Sequence, residues 1–133
     1  MGENKNIYFD HEKLKVYQLA LEFNKYAHQI CSKLDSRSDI INQIDRASNS
    51  IVLNIAEGNG KYSKKDKCRY FDISLGSSFE SAGCLDILSI RNIVSNADIN
   101  VGKFMIKEIV SMLFGLIKSN SDRVYEESAE YES

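Results

Sequence analysis

Apolar positions recur with a helical period along most of this chain. In residues 11–34, Val16, Ala20, Phe23, Ala27, Ile30 and Leu34 follow at intervals of 4, 3, 4, 3 and 4, a heptad seam. Leu14, Tyr17 and Leu21 widen that seam into a face suited to a bundle, and Asp10 stands where an N-cap is expected. After the polar break Asp35-Ser36-Arg37-Ser38, a second helix is predicted on Ile40, Ile44, Ala47, Ile51 and Ile55. Gly58 and Gly60 mark its end, because glycine supplies the left-handed conformation that closes many helices. Ser63 stands three residues before Asp66, a capping-box pattern with Asp in the usual Glu or Gln place. From there a third helix is predicted to about residue 96, roughly 50 Å long at the α-helical rise. The fourth is predicted to begin near Asp98 or Asn100 and to bury Met105, Ile109, Met112 and Leu116. The apolar pattern stops at Asp122, so residues 122–133 read as a frayed or disordered segment.

Small residues crowd the middle of the third helix: Ser74, Gly76, Ser77, Ser78, Ser81, Ala82 and Gly83. Each interior glycine costs about 1 kcal/mol relative to alanine, so close helix packing is the expected reason for both. Short connections between long helices force antiparallel neighbours. The expected fold is an all-α, up-down-up-down four-helix bundle over residues 1–121, followed by an acidic tail at 122–133. One long coiled coil is disfavoured, because the breaks recur at bundle-like intervals.

Composition supports this reading: the 133 residues include no proline and seven glycines. Four long helices leave few places that tolerate proline. The richest apolar stretch, residues 104–117, is interrupted by Lys107 and Glu108, so no membrane span is expected. The opening residues lack the apolar stretch of a signal peptide. Cys31, Cys68 and Cys84 form no CxxC pair and fit free thiols in a reducing compartment, here expected to be the cytoplasm.

Bundles that hold two metal ions use Glu-x-x-His pairs. Here Tyr8 stands three residues before His11 and Lys25 three before His28, so that motif is absent. Gly58-Asn59-Gly60-Lys61 does not meet the phosphate-loop pattern, and it follows a helix rather than a strand. Glu57 and Glu80 have no accompanying nucleophile or activated histidine. No catalytic residue, metal or cofactor is expected, and the chain does not read as an enzyme. Arg46, Ser50, Asn54 and Glu57, spaced 4, 4 and 3, form a polar stripe on helix two. That stripe is open to two readings: a solvated face, or a network that meets Ser77 and Glu80 of helix three or another subunit.

The net charge of -2 conceals a concentration. In GKYSKKDKCRY, residues 60–70, Lys61, Lys64, Lys65, Lys67 and Arg69 against Asp66 give +4, with Tyr62 and Tyr70 interleaved. Clustered cations release counterions from a polyanion, and a neighbouring tyrosine can stack on an unpaired base. At a helix start the same cations oppose the helix dipole. In residues 122–133, Asp122, Glu126, Glu127, Glu130 and Glu132 against Arg123 give -4. The remaining 1–121 carry sixteen basic and fourteen acidic residues, or +2. The up-down order brings the end of helix two, the start of helix three and the end of helix four to one end, so the acidic tail should emerge beside the basic cluster.

The run Arg46-Ala47-Ser48-Asn49-Ser50-Ile51-Val52-Leu53-Asn54-Ile55-Ala56-Glu57-Gly58 carries a resemblance, together with Tyr62-Ser63-Lys64-Lys65 and Phe71-Asp72-Ile73-Ser74-Leu75-Gly76-Ser77-Ser78-Phe79-Glu80. It resembles a bacterial four-helix-bundle family that includes proteins encoded by intervening sequences in 23S ribosomal RNA genes. That family is similar to the accessory variability determinant of diversity-generating retroelements. Phe9-Asp10 and Lys13-Leu14, with Val16-Tyr17, extend the resemblance into the first helix, over roughly residues 9–118. It implies a homopentamer of four-helix protomers without enzymatic activity. In the retroelement branch it implies partners in nucleic acid and a reverse transcriptase. It also implies structural or assembly roles for Arg46, Asn54, Glu57, Gly76, Ser77 and Glu80.

Two functions follow as expectations. One is a nucleic-acid-binding protein that takes RNA or DNA on Lys61, Tyr62, Lys64, Lys65, Lys67 and Arg69. The other is an oligomeric scaffold or protein-interaction module without nucleic-acid binding.

Overall fold

The structure, a computed structural model, describes residues 6–34 and 38–121. The segment 122–133, read above as an acidic tail, lies outside the described residues. A 3-10 turn at Asp10–Lys13 precedes α1 (Lys15–Cys31), α2 (Asp39–Asn59), α3 (Lys64–Ile90) and α4 (Asn96–Asn120). Each helix packs on its neighbours in sequence, and α1 packs on α4, while among the described residues the diagonal pairs do not come together. This is the arrangement of an up-down four-helix bundle.

The α1 seam is buried at Val16, Ala20, Phe23 and Ala27. It meets Ile44, Ile51 and Ile55 of α2, Phe71, Leu85 and Leu88 of α3, and Ile109 and Leu113 of α4 in one apolar core. Each large buried side chain contributes about 1.5–3 kcal/mol of transfer free energy, before the entropy of ordering the chain is charged against it.

Several helix ends differ from the sequence expectation. Leu14 is extended (φ -72°, ψ 128°) and divides the 3-10 turn from α1, so Asp10 does not cap that helix. Glu12 organises the turn instead: its carboxylate accepts from the backbone N–H of Tyr8 (3.1 Å) and of Phe9 (2.6 Å). Asp10 accepts from the Asn59 amide at 3.2 Å, tying the amino-terminal turn to the end of α2.

The third helix ends at Ile90, six residues earlier than expected and about 40 Å from its start. Asn92 adopts a left-handed conformation (φ 56°). Asn92 N–H donates to Ser89 O and Ile93 N–H to Leu88 O, the paired bonds of a Schellman stop. Ser95 then caps α4 by accepting from Asp98 N–H at 3.2 Å. In α4 the buried seam is Ile99, Gly102, Ile106, Ile109 and Leu113. Met105, Met112 and Leu116 are half-buried at its border. Gly102 accounts for the rotation: a Cβ there would overlap the Tyr26 ring, so the glycine lets this face of α4 close on α1. Tyr26 Oη donates to Asp98 O at 2.5 Å, and burial pushes its hydroxyl up to about 12.

The glycines play different parts from those expected. None of the described ones has a positive φ. Gly58 lies buried within α2, where a Cβ would stand 2.9 Å from Tyr70 Cβ and 3.0 Å from the Phe71 ring. Its role is the close approach of α2 to α3, not a left-handed stop. Gly76 and Gly83 face open space, with nothing within 4 Å of an added Cβ. The small residues packed inside are Ser74, Ser77, Ser78 and Ser81.

Their hydroxyls are all satisfied. Ser74 Oγ donates to Ile51 O across the seam, and Ser78 and Ser81 donate to the carbonyls four residues back, each at 2.9 Å. Among the described residues no buried side-chain nitrogen or oxygen lacks a partner. Buried hydroxyls are costly only when unbonded, so this seam gains close packing without that penalty. Nor is any helix of the described residues long and apolar enough to cross a membrane.

Candidate nucleic-acid interface

The cluster from Lys61 to Arg69 sits on the turn between α2 and α3 and on the first turns of α3. Gly60 leaves α2 with its N–H on Glu57 O, and Ser63 starts α3 by accepting from Asp66 N–H at 3.0 Å. This cap directs Lys64 and Lys65 outward at the first two helical positions, where both are exposed.

The five cations divide into two kinds. Lys67 Nζ donates to the Asn59 carbonyl at 2.7 Å, at the negative end of the α2 dipole. Lys61 lies 3.8 Å from Glu57 and 4.9 Å from the Tyr70 ring centre, while Arg69 lies 5.1 Å from the same ring and 3.9 Å from Asp66. Cation–π contacts at partly exposed sites hold such side chains by about 0.5–1 kcal/mol each. Lys64 and Lys65 make no ion pair or hydrogen bond with any described residue. Tyr62 beside them is fully exposed. The geometry therefore sets two unengaged ammonium groups and one open aromatic ring over a framework of three anchored cations.

The positive end of the α3 dipole coincides with Lys64 and Lys65. That placement costs a few tenths of a kcal/mol per lysine for the folded chain, partly offset by Asp66 in the same turn. For a phosphate it is favourable, because the ammonium groups and the dipole act with one sign.

Pattern reading missed that the amino-terminal turn belongs to this end of the bundle. The Asn59–Asp10 bond holds it there, and Leu14, Lys15 and Val16 adjoin Met112, Gly115 and Leu116 of α4. Exposed Lys13 and Lys15 thus add cations at the same end, and Tyr8 and Phe9 add exposed rings. The antiparallel order was the available signal, since it pairs the start of α1 with the end of α2. Tyr70, which holds Lys61 and Arg69, was legible only as an interleaved aromatic.

The polar stripe is partly joined across the seam. Ser77 Oγ donates to Ser50 Oγ at 2.7 Å, and Asn54 Nδ2 donates to Ser50 O at 2.9 Å and to Ser50 Oγ at 3.0 Å. Glu80 accepts from Gln43 at 3.4 Å, Glu57 faces Lys61, and Arg46 is exposed outside this network. A Cβ added at Gly76 would meet no described side chain within 4 Å.

Among the described residues no group of three or more His, Cys, Asp or Glu side chains could hold a metal ion. His11 packs edge-on against Tyr17, with ring centres 4.7 Å apart. All three cysteines are free thiols. Burial pushes Cys31 up to about 11 and raises Cys68 and Cys84, which disfavours the nucleophilic thiolate at neutral pH.

The family model of the 23S rRNA-intervening sequence protein matches residues 12–115, from the amino-terminal turn through most of α4. The chain belongs to that family. The matched stretch of this chain spans the basic turn and all of α3. A crystal structure from Bacteroides thetaiotaomicron, described as a protein of unknown function from the S23 ribosomal protein family, is similar to this chain with a TM-score of 0.72 and 23% identity. The likeness covers 77% of this chain and 98% of that one, and it supports the four-helix fold. No curated protein matches the chain.

Proposed function

We propose that this 23S rRNA-intervening sequence family member is a non-catalytic nucleic-acid-binding protein, taking RNA or DNA at the basic turn between α2 and α3. The observation that carries this reading is the pairing of unengaged Lys64 and Lys65 with the fully exposed ring of Tyr62 at a helix N-terminus. The lysines meet successive phosphates, and Tyr62 stacks on an unpaired base, a contact worth about 1–3 kcal/mol. Lys61, Lys67 and Arg69 raise the local potential and keep the turn in shape.

The test is a salt titration with a fluorescent single-stranded RNA and its DNA counterpart. Lys64→Gln with Lys65→Gln should lower the slope of log affinity against log salt by about 1.4, since each phosphate contact to a single strand contributes about 0.7. Tyr62→Ala should weaken binding with little change in slope. Absence of wild-type binding at low salt, or a slope untouched by the lysine pair, overturns the reading.

The outer face of α3 favours self-assembly as a second property, in keeping with the scaffold alternative. Gly76 and Gly83 lie two helical turns apart, with exposed Ile73 and Phe79 near them and exposed Ile90 two turns further along. Bare glycines beside apolar side chains let a second helix approach closely. The homopentamer implied by the family resemblance is tested by the particle mass in light scattering. A monomer at micromolar concentration would remove this property while leaving the nucleic-acid reading intact.

A further inference from the structure

The basic turn is also the place where α4 ends. Cys68 Sγ lies 3.6 Å from Ile117 O and donates to it, which fixes the register of α4 against α3. The two helices are antiparallel, so three more residues bring Asn120, where α4 ends, level with about Lys65, and Ser121 leaves the helix in an extended conformation. The chain that continues from Ser121 is Asp122-Arg123-Val124-Tyr125-Glu126-Glu127-Ser128-Ala129-Glu130-Tyr131-Glu132-Ser133. Its five carboxylates and one guanidinium sum to -4, equal and opposite to the +4 of five cations and Asp66 on the turn. Fully extended, these residues span at most about 40 Å, far more than is needed to cross the turn.

We infer that residues 122–133 dock on the basic turn of their own chain and act as an internal competitor for the polyanion site. The regulatory half of this inference rests on the nucleic-acid reading above; the docking half does not. Lys64 and Lys65 have no partner among the described residues, and α4 ends at the same end of the bundle, so the carboxylates would meet ammonium groups that no described residue neutralises. A tether of this length holds the carboxylates at an effective concentration of about millimolar, at which weak contacts between opposite charges become populated. A bound strand must displace the segment, so its apparent affinity falls by the fraction of turns left open. The contact is electrostatic and disappears at high salt.

The experiment compares the full-length chain with a full-length variant carrying Asp122→Asn, Glu126→Gln, Glu127→Gln, Glu130→Gln and Glu132→Gln. Lysine acetylation rates, read residue by residue by mass spectrometry, report docking without nucleic acid. Lys64 and Lys65 should react at least about threefold more slowly in the wild type at low salt, independently of protein concentration, with the difference lost at high salt. A labelled oligouridylate should then bind the variant about three- to tenfold more tightly at low salt. Equal acetylation rates overturn the docking whatever the RNA does, and protection that fades on dilution overturns it in favour of a neighbouring copy. Protection without a change in RNA affinity overturns the competition. Protection in a chain that binds no RNA, with or without the substitutions, upholds the docking and overturns the nucleic-acid reading instead.

Discussion

The face of α3 turned into the bundle buries Ser74, Ser77, Ser78 and Ser81, whereas the face turned away carries Gly76 and Gly83 among exposed Ile73, Phe79 and Ile90. Both faces are made of small residues within the same two helical turns. Inside, each serine returns its hydroxyl to a backbone carbonyl or to Ser50, and Ser74 and Ser77 bond directly to α2. Outside, the glycines bring no described element of the protomer closer, and nothing among the described residues compensates their cost to helix stability. Side-chain size alone therefore does not identify a packing seam. A seam is marked by small residues whose polar atoms are satisfied and whose removal from water is complete.

The strongest way to break this contrast is to enlarge one residue of the inner face. Ser78 is fully buried, and its hydroxyl is bonded to Ser74 O at 2.9 Å. Ser78→Leu inserts a branched side chain with no room to enter, at a cost of about 3 kcal/mol, near the top of the range for overpacking. The urea midpoint should fall accordingly. An unchanged midpoint would mean that the seam is looser than its hydrogen bonds indicate.

Gly58→Ala probes the same seam from α2 with a smaller effect. The new Cβ would stand 2.9 Å from Tyr70 Cβ, which is anchored to the backbone and cannot swing aside. Helix propensity gains about 1 kcal/mol, and the forced separation of the helices costs about 1–3. A net loss of about 1 kcal/mol in thermal or urea unfolding is expected. Because Tyr70 holds Lys61 and Arg69, the substitution should also disturb the basic turn.

What the sequence made legible follows the range of the forces involved. The α1 seam was legible because Val16, Ala20, Phe23 and Ala27 repeat without interruption. The Ser63–Asp66 cap was legible because its chemistry is local. Ser95 and Asp98 stand at the same spacing, yet the end of α3 was missed because its left-handed residue is Asn92 rather than a glycine. The α4 seam was displaced because two sets spaced by threes and fours share Ile109, and the close approach of Tyr26 to Gly102 belongs to the set that is buried. In the basic turn the sum of charges was legible. Which lysines are engaged was not, since that depends on the Asn59 carbonyl reaching Lys67 and on Tyr70 lying between Lys61 and Arg69.

The smallest effect distinguishes the two faces most directly, because its sign reverses. Gly83→Ala adds a Cβ that meets nothing within 4 Å among the described residues, and the backbone there is helical. Alanine loses less conformational entropy than glycine in a helix, so the isolated protomer should gain about 0.5–1 kcal/mol. The same methyl stands between α3 and any second helix that approaches this face. At low concentration the melting temperature should therefore rise, and at high concentration the gain should shrink as the added methyl weakens association. Unfolding followed across protein concentrations separates the two contributions, because only association depends on concentration. A gain that is the same at every concentration would show that the outer glycines serve no helix contact at all, and the second property proposed for α3 would fall with it.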